Sequence, residues 1–268
     1  MAKNVFYIIA MAVICTCAAC GGGDVDDDNI TPNSNGSGNI SSKHDYVEIG
    51  GLKWATMNVG ATTVAGSPST CYGDYFAWGE TEPRYKSITI SEEKSVTFGG
   101  WKSNHSEGYS LSDYPSYTGG TLDAEHDAAT QNWGSAWRTP TDDDFLTLRK
   151  ACGGSNGSST LKNLSTSDPT GGIYWLSSSQ TFLSEYKGVA GILFVCKTDT
   201  SKRVFFPAAG SCYNTKFDSS GLYGWYWSSS LMTGSTYGAL YMSFDDVFII
   251  PSQSTYRSSG LTIRPVAD

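Results

Sequence analysis

Along GALYMSFDDVF (Gly238–Phe248) apolar and polar positions alternate, so the period predicts a strand. Leu240, Met242 and Phe244 fall on one face and belong in a core. Tyr241, Ser243 and Asp245 fall on the other, and their composition suits an outward binding surface. Two hairpins follow from similar patterns. In VEIGGLKWATMNVG (Val47–Gly60), Gly50-Gly51 sits between apolar runs. Farther on, Ile192–Cys196 and Arg203–Phe206 flank a polar turn near Asp199. The closing LTIRPV (Leu261–Val266) predicts a central or near-central strand with Pro265 at its end, where no N–H is required.

A helical period appears in one region. In LDAEHDAATQNWG (Leu122–Gly134), Asp123 is placed to cap a helix, three alanines favour it, and Gly134 ends it. After Trp137-Arg138-Thr139-Pro140, Thr141 is the N-cap of a second helix and Asp144 completes an acidic capping box. Asp142 and Asp143 fill the first turn, where the helix dipole favours negative charge. Phe145, Leu148 and Cys152 recur at helical spacing, and Gly153-Gly154 stops the helix. The triple aspartate therefore reads as a helix start, not a cation site. Segments 84–121 and 153–188 are rich in Gly, Ser, Thr and Tyr without a steady period, which predicts ordered loops or insertions.

The N-terminus changes the domain picture. Lys3 precedes an apolar run, Val5–Ile14, that is too short to span a bilayer. Ala18-Ala19 before Cys20 resembles a bacterial lipobox, which implies that residues 1–20 are a signal peptide and that Cys20 carries the lipid anchoring the chain to a membrane. Residues 21–45, dominated by Gly, Asp, Asn and Ser, are expected to be a disordered tether. Asp24 and Asp26–Asp28 resemble the acidic export signals of surface lipoproteins, implying an outer-membrane protein that faces the exterior. Residues 46–268 are long enough to bury the core of one domain.

Charge and composition narrow the function. A net charge of −8 and a pI near 4.8, with no basic cluster, exclude nucleic acid as a partner. No Cys/His spacing suggests zinc and no cofactor motif is present, so neither metal nor cofactor is expected. The cysteines of the domain, Cys71, Cys152, Cys196 and Cys212, allow three pairings that the sequence does not separate. Aromatic residues crowd the C-terminal quarter. Trp225 and Trp227 are expected in the core. Tyr223, Tyr237, Tyr241 and Tyr256, with Ser243 and Asp245, are expected on a ligand-binding surface, because tyrosine gives rigid amphipathic contact area and serine adaptable hydrogen bonding.

Ordered blocks also carry a resemblance: VEIGGLKWATMNVGA (Val47–Ala61), YGDYFAWGETEP (Tyr72–Pro83), LDAEHDAATQNWGSAWRTPTDDDFLTL (Leu122–Leu148), VFFPAAG (Val204–Gly210), YWSSS (Tyr226–Ser230) and GLTIRPV (Gly260–Val266). Together they resemble the Fibrobacter succinogenes major paralogous domain of exported bacterial proteins. WRTPTDDDFLTL is more distantly similar to a segment of formylglycine-generating enzymes. The resemblance implies an α+β, C-type-lectin-like fold with two short helices, small twisted antiparallel sheets and long loops. It also places the closing strand beside Trp54–Met57. Formylglycine-generating chemistry uses paired cysteines near the C-terminus, and no cysteine follows Cys212, so an enzyme is not expected. The calcium-dependent sugar motifs of C-type lectins are missing as well, TEPR (Thr81–Arg84) being the nearest. The implied function is a surface binding or adhesion module for a glycan or protein ligand. A structural subunit of a surface appendage is the alternative.

Overall fold

The computed structural model describes residues 37–39, 44–86, 120–213, 216–235 and 238–268; Cys20 and Tyr237 lie outside them. Strands β1 (Ser37–Asn39), β2 (Asp45–Ile49) and β3 (Leu52–Ala55) form an antiparallel meander. Gly50 and Gly51, with φ of 69° and 84°, make the β2–β3 turn, whose backbone most side chains would strain. β1 comes from the stretch expected to be tether, so the folded region begins before residue 45. It pairs Ser37 with Val47 and Asn39 with Asp45 along the edge of β2. Ladder pairing uses backbone groups only, so polar composition did not prevent it.

The α-helices among the described residues are α1 (Pro68–Cys71), α2 (Ala128–Trp133) and α3 (Asp142–Ala151). The Thr141 hydroxyl accepts from Asp144 N at 3.1 Å and the Asp144 carboxylate accepts from Thr141 N at 2.7 Å, closing the capping box at the head of α3. α2 is capped by Asp127, not by Asp123. Asp123 is occupied one turn earlier, accepting from the backbone N–H of His126 at 3.0 Å.

Next come β4 (Ser159–Thr160), β5 (Lys162–Asn163), β6 (Gly172–Leu176), β7 (Gly191–Val195) and β8 (Arg203–Pro207). The stretch 153–188, expected as loop, thus supplies three of these strands. The chain goes on through β9 (Ser211–Tyr213), β10 (Lys216–Asp218), β11 (Gly224–Leu231), β12 (Gly238–Phe244), β13 (Phe248–Tyr256) and β14 (Val266–Ala267). The sheets run β1-β2-β3-β14, β5-β6-β7-β8 and β11-β12-β13-β4, with β9-β10 a separate hairpin. Among the described strands every ladder is antiparallel except β5 with β6. The chain is a mixed α+β protein, mostly strands in small antiparallel sheets with few short helices.

The C-terminal expectation needs correction. LTIRPV does end beside β3, with Val266 opposite Trp54, but β14 lies at the sheet edge and Pro265 precedes it. The residues before it change partners one after another: Gly260 bridges Cys212, Leu261 bridges Phe76, and Thr262 bridges Tyr226. They form a buried seam between sheets, not a strand within one. Around this seam one hydrophobic cluster gathers Trp54, Phe145, Leu148, Phe206, Tyr226 and Met242. A second gathers Phe76, Trp78, Trp227, Tyr241 and Leu261.

Candidate functional site

β12 pairs with β11 on one side and β13 on the other, so its backbone is satisfied along both edges. Its side chains enter both clusters, Met242 and Phe244 the first, Ala239 and Tyr241 the second. Tyr241 and Ser243 are therefore buried, at 8 % and 4 % exposure, and the outward face expected for them does not exist. Alternation along a strand distinguishes core from solvent only when one face of the sheet is open. Here each face meets its own core. The Tyr241 hydroxyl donates to Gln253 Oε1 at 2.8 Å, which satisfies it. Asp245, half-buried, accepts from Val247 N at 2.8 Å and Phe248 N at 2.7 Å, so its carboxylate builds the β12–β13 turn.

The tyrosine and serine surface lies one strand over. β13 pairs with β4 only through Phe248 and Ile249, and beyond them no described strand covers its outer edge. Along its second half Ser252, Ser254 and Tyr256 are exposed in alternation. Between Ser243↔Ile250 and Tyr241↔Gln253 the register slips, placing Pro251 and Ser252 opposite Met242. This is a β-bulge. Proline is admitted there because its missing N–H breaks no ladder bond. Ser252 adopts φ of 51° at the bulge, and the pairing with β12 resumes from Gln253 to Tyr256.

The expected ligand residues separate along this sheet. Tyr256 stands opposite Gly238 at one end of β12, whereas Gly224, next to Tyr223, stands opposite Phe244 at the other. At about 3.3 Å per residue those ends are roughly 20 Å apart. Tyr223, 39 % exposed, shares its end with Asp245. Tyr256, 42 % exposed, shares its end with Met232, Ser235, Ser254 and Thr255, which line a cleft of about 480 Å³. The Ser235 hydroxyl accepts from Gly238 N at 2.9 Å and holds the rim of that cleft. Of the two tryptophans expected in the core, Trp227 is buried and donates from Nε1 to Phe76 O at 2.8 Å, while Trp225 is half-buried between Tyr223 and Tyr241.

A second cleft, about 470 Å³, was not visible in the sequence. Val47, Thr56, Tyr186, Ser201, Arg203 and Phe205 line it. Its floor is apolar, with the Tyr186 and Phe205 rings 5.2 Å apart. Burial pushes the Tyr186 hydroxyl up to about 12, against the pull of Arg203, so it stays a neutral donor. The lining comes from segments far apart in sequence, so no local pattern announces it.

Compared with protein-family models, with curated proteins and with solved structures, the chain gave no match. No helix among the described residues is long and apolar enough to cross a membrane.

Proposed function

We propose that the chain is a lipid-anchored binding module displayed on a bacterial outer membrane. In this reading Cys20 is the anchor, the domain is of the Fibrobacter succinogenes major paralogous type with a C-type-lectin-like arrangement, and a glycan or protein on another surface is the ligand. The observation that carries it is the cleft between Met232 and Tyr256, walled by Ser235, Ser254 and Thr255. An exposed aromatic ring offers an apolar face to sugar C–H groups or a protein side chain, and the surrounding hydroxyls give and accept hydrogen bonds. Methionine adds a soft apolar wall that adapts to shape. Ser254, Thr255 and Tyr256 sit on β13, a strand, which holds that wall more rigidly than a loop would, while Met232 and Ser235 come from the connection between β11 and β12.

The test is a glycan and protein array probed with the whole chain in detergent. Wild type should bind a restricted set of ligands. Tyr256→Ala should lose that signal by about tenfold or more, the size expected when a central aromatic anchor is truncated. Tyr223→Ala, at the far end of the sheet, and Arg203→Ala, in the second cleft, should bind as wild type. Loss with Tyr223→Ala and not with Tyr256→Ala would move the site to the other end.

A further inference from the structure

The C-terminal end of α3 lies directly on the end of β7. Lys197 N donates to Ala151 O at 2.9 Å, and a Cβ built on Gly153 would come within 3.0 Å of the Lys197 side chain. Cys152 sits between Ala151 and Gly153, and Cys196 immediately precedes Lys197. Both cysteines belong to the same hydrophobic cluster and both are buried thiols. Their surroundings differ. Cys196 faces a pocket of about 320 Å³ that it shares with Gly50, Ala151, Thr198 and Lys202. Its Sγ lies 3.3 Å from the Thr198 hydroxyl. Cys152, 1 % exposed, closes α3 from inside the core.

We propose that Cys196 and Cys152 form an oxidation-responsive dithiol in which Cys196 reacts first with a small peroxide and Cys152 then closes a disulfide between α3 and β7. The chemistry follows from the asymmetry. Burial pushes the Cys196 thiol up, but the Thr198 hydroxyl, the N–H groups of Thr198 and Asp199 and the Lys202 ammonium together bring it below the ordinary thiol value. Burial, with Cys196 beside it, pushes the Cys152 thiol well up, so Cys152 is the poorer initial nucleophile. The Cys196 thiolate attacks one oxygen of hydrogen peroxide. The O–O bond breaks, leaving a sulfenic acid and a hydroxide that takes up a proton as water. Cys152 sulfur then attacks the sulfenic sulfur, the S–O bond breaks, and the departing hydroxide leaves with the Cys152 proton as a second water. Two thiols are oxidised by two electrons, and one peroxide is reduced to two waters.

The disulfide would join two elements that already touch, so it constrains the unfolded chain more than it distorts the folded one. The test uses the whole chain in detergent, reduced and then treated with a few equivalents of hydrogen peroxide. Peptide mass mapping without reductant should find the Cys152 peptide joined to the Cys196 peptide, two hydrogens lighter than the sum. The melting temperature should rise by about 5–15 °C and fall back with dithiothreitol. Cys152→Ala should halt at a Cys196 sulfenic acid that dimedone captures, and Cys196→Ser should leave Cys152 unoxidised. The wild-type map decides the matter even where a variant folds poorly. Cys196 ending as a sulfinic acid without a link, either cysteine joined to a different partner, or both remaining thiols would overturn the proposal.

Discussion

Asp127 directs the path of the chain with one carboxylate. It is 3 % exposed and accepts from Ala129 N at 2.8 Å, Thr130 N at 3.2 Å, Thr139 N at 2.8 Å and the Thr139 hydroxyl at 2.8 Å. It thus caps α2 and ties that helix to the Trp137–Pro140 segment leading into α3. Asp127→Ala leaves these donors without an acceptor in a dry site. At about 1–3 kcal/mol per buried unsatisfied group, partly relieved by relaxation, the loss should be about 3–5 kcal/mol in urea melts. Thr141→Ala, which removes only a cap, should cost about 1 kcal/mol. Trp137→Ala empties a core site and should cost roughly 3–5 kcal/mol. Burial also pushes the Asp127 carboxyl up, against the pull of its hydrogen bonds. A raised acid binds its proton more tightly in the folded state. Its contribution to stability is therefore full below the ordinary aspartate value of 3.8 and falls as pH rises through the folded value. The difference in stability between wild type and Asp127→Asn should show this slope just above pH 3.8, and an equal pH dependence in the two would refute it. The cap of α3 was legible because Thr141 and Asp144 act locally. Asp127 was not, because Asp123 offers the same local signal and the choice between them rests on a contact with Thr139.

At the scale of elements, the sequence revealed periods but not how many faces a sheet would bury. β12 alternates well enough to look amphipathic, yet it lies between two cores. β13 has Pro251 in mid-strand, an argument against strand by itself, yet it carries the open face. The misreading of β12 has a plain cause: solvent exposure depends on neighbouring strands and not on the strand's own pattern. The Gly50-Gly51 turn, the β7–β8 hairpin and α3 were legible because their partners are a few residues away. Gly224 shows how close the long-range packing is. A Cβ there would lie 1.9 Å from the Phe244 ring, so Gly224→Ala must displace a buried aromatic side chain. The expected cost is about 1–3 kcal/mol or more, as for other overpacked cores. Gly51, with φ of 84° but nothing within 4 Å of an added Cβ, is the control. Gly51→Ala should cost only backbone strain, about 1–2 kcal/mol. Thermal melts of the two variants that came out in the reverse order would show that β11 and β12 pack more loosely than described.

Among the described residues, buried side-chain hydrogen bonds tie the sheets to one another. Arg264, on the seam before β14, is fully buried and donates from Nη1 to Ala55 O in β3 and from Nη2 to Phe205 O in β8, both at 2.9 Å. Its guanidinium lies 4.6 Å from the centre of the Phe206 ring. Beside it, the Tyr226 hydroxyl of β11 donates to Pro207 O at 2.7 Å and accepts from Asn58 Nδ2 at 3.3 Å. Burial lowers the arginine to about 10, partly offset by Tyr226, so it remains charged at neutral pH. A base whose folded value is depressed gains nothing from its charge as pH falls. What it contributes near pH 7 is its pair of directed bonds into two different sheets. Lysine cannot reproduce that planar fork. Arg264→Lys should therefore lower stability by about 2–5 kcal/mol through one or two buried carbonyls left without a donor. It should also loosen the coupling between sheets. In wild type, tryptophan fluorescence and far-ultraviolet circular dichroism should report a single coincident urea transition, as a domain unfolding as one unit does. In Arg264→Lys the two transitions should separate, because Trp54 on β3 and Trp175 on β6 lie in the two sheets that Arg264 ties, and that tie is cut. Coincident transitions in the variant would mean that hydrophobic contact alone joins the sheets and that Arg264 serves only its own neighbourhood.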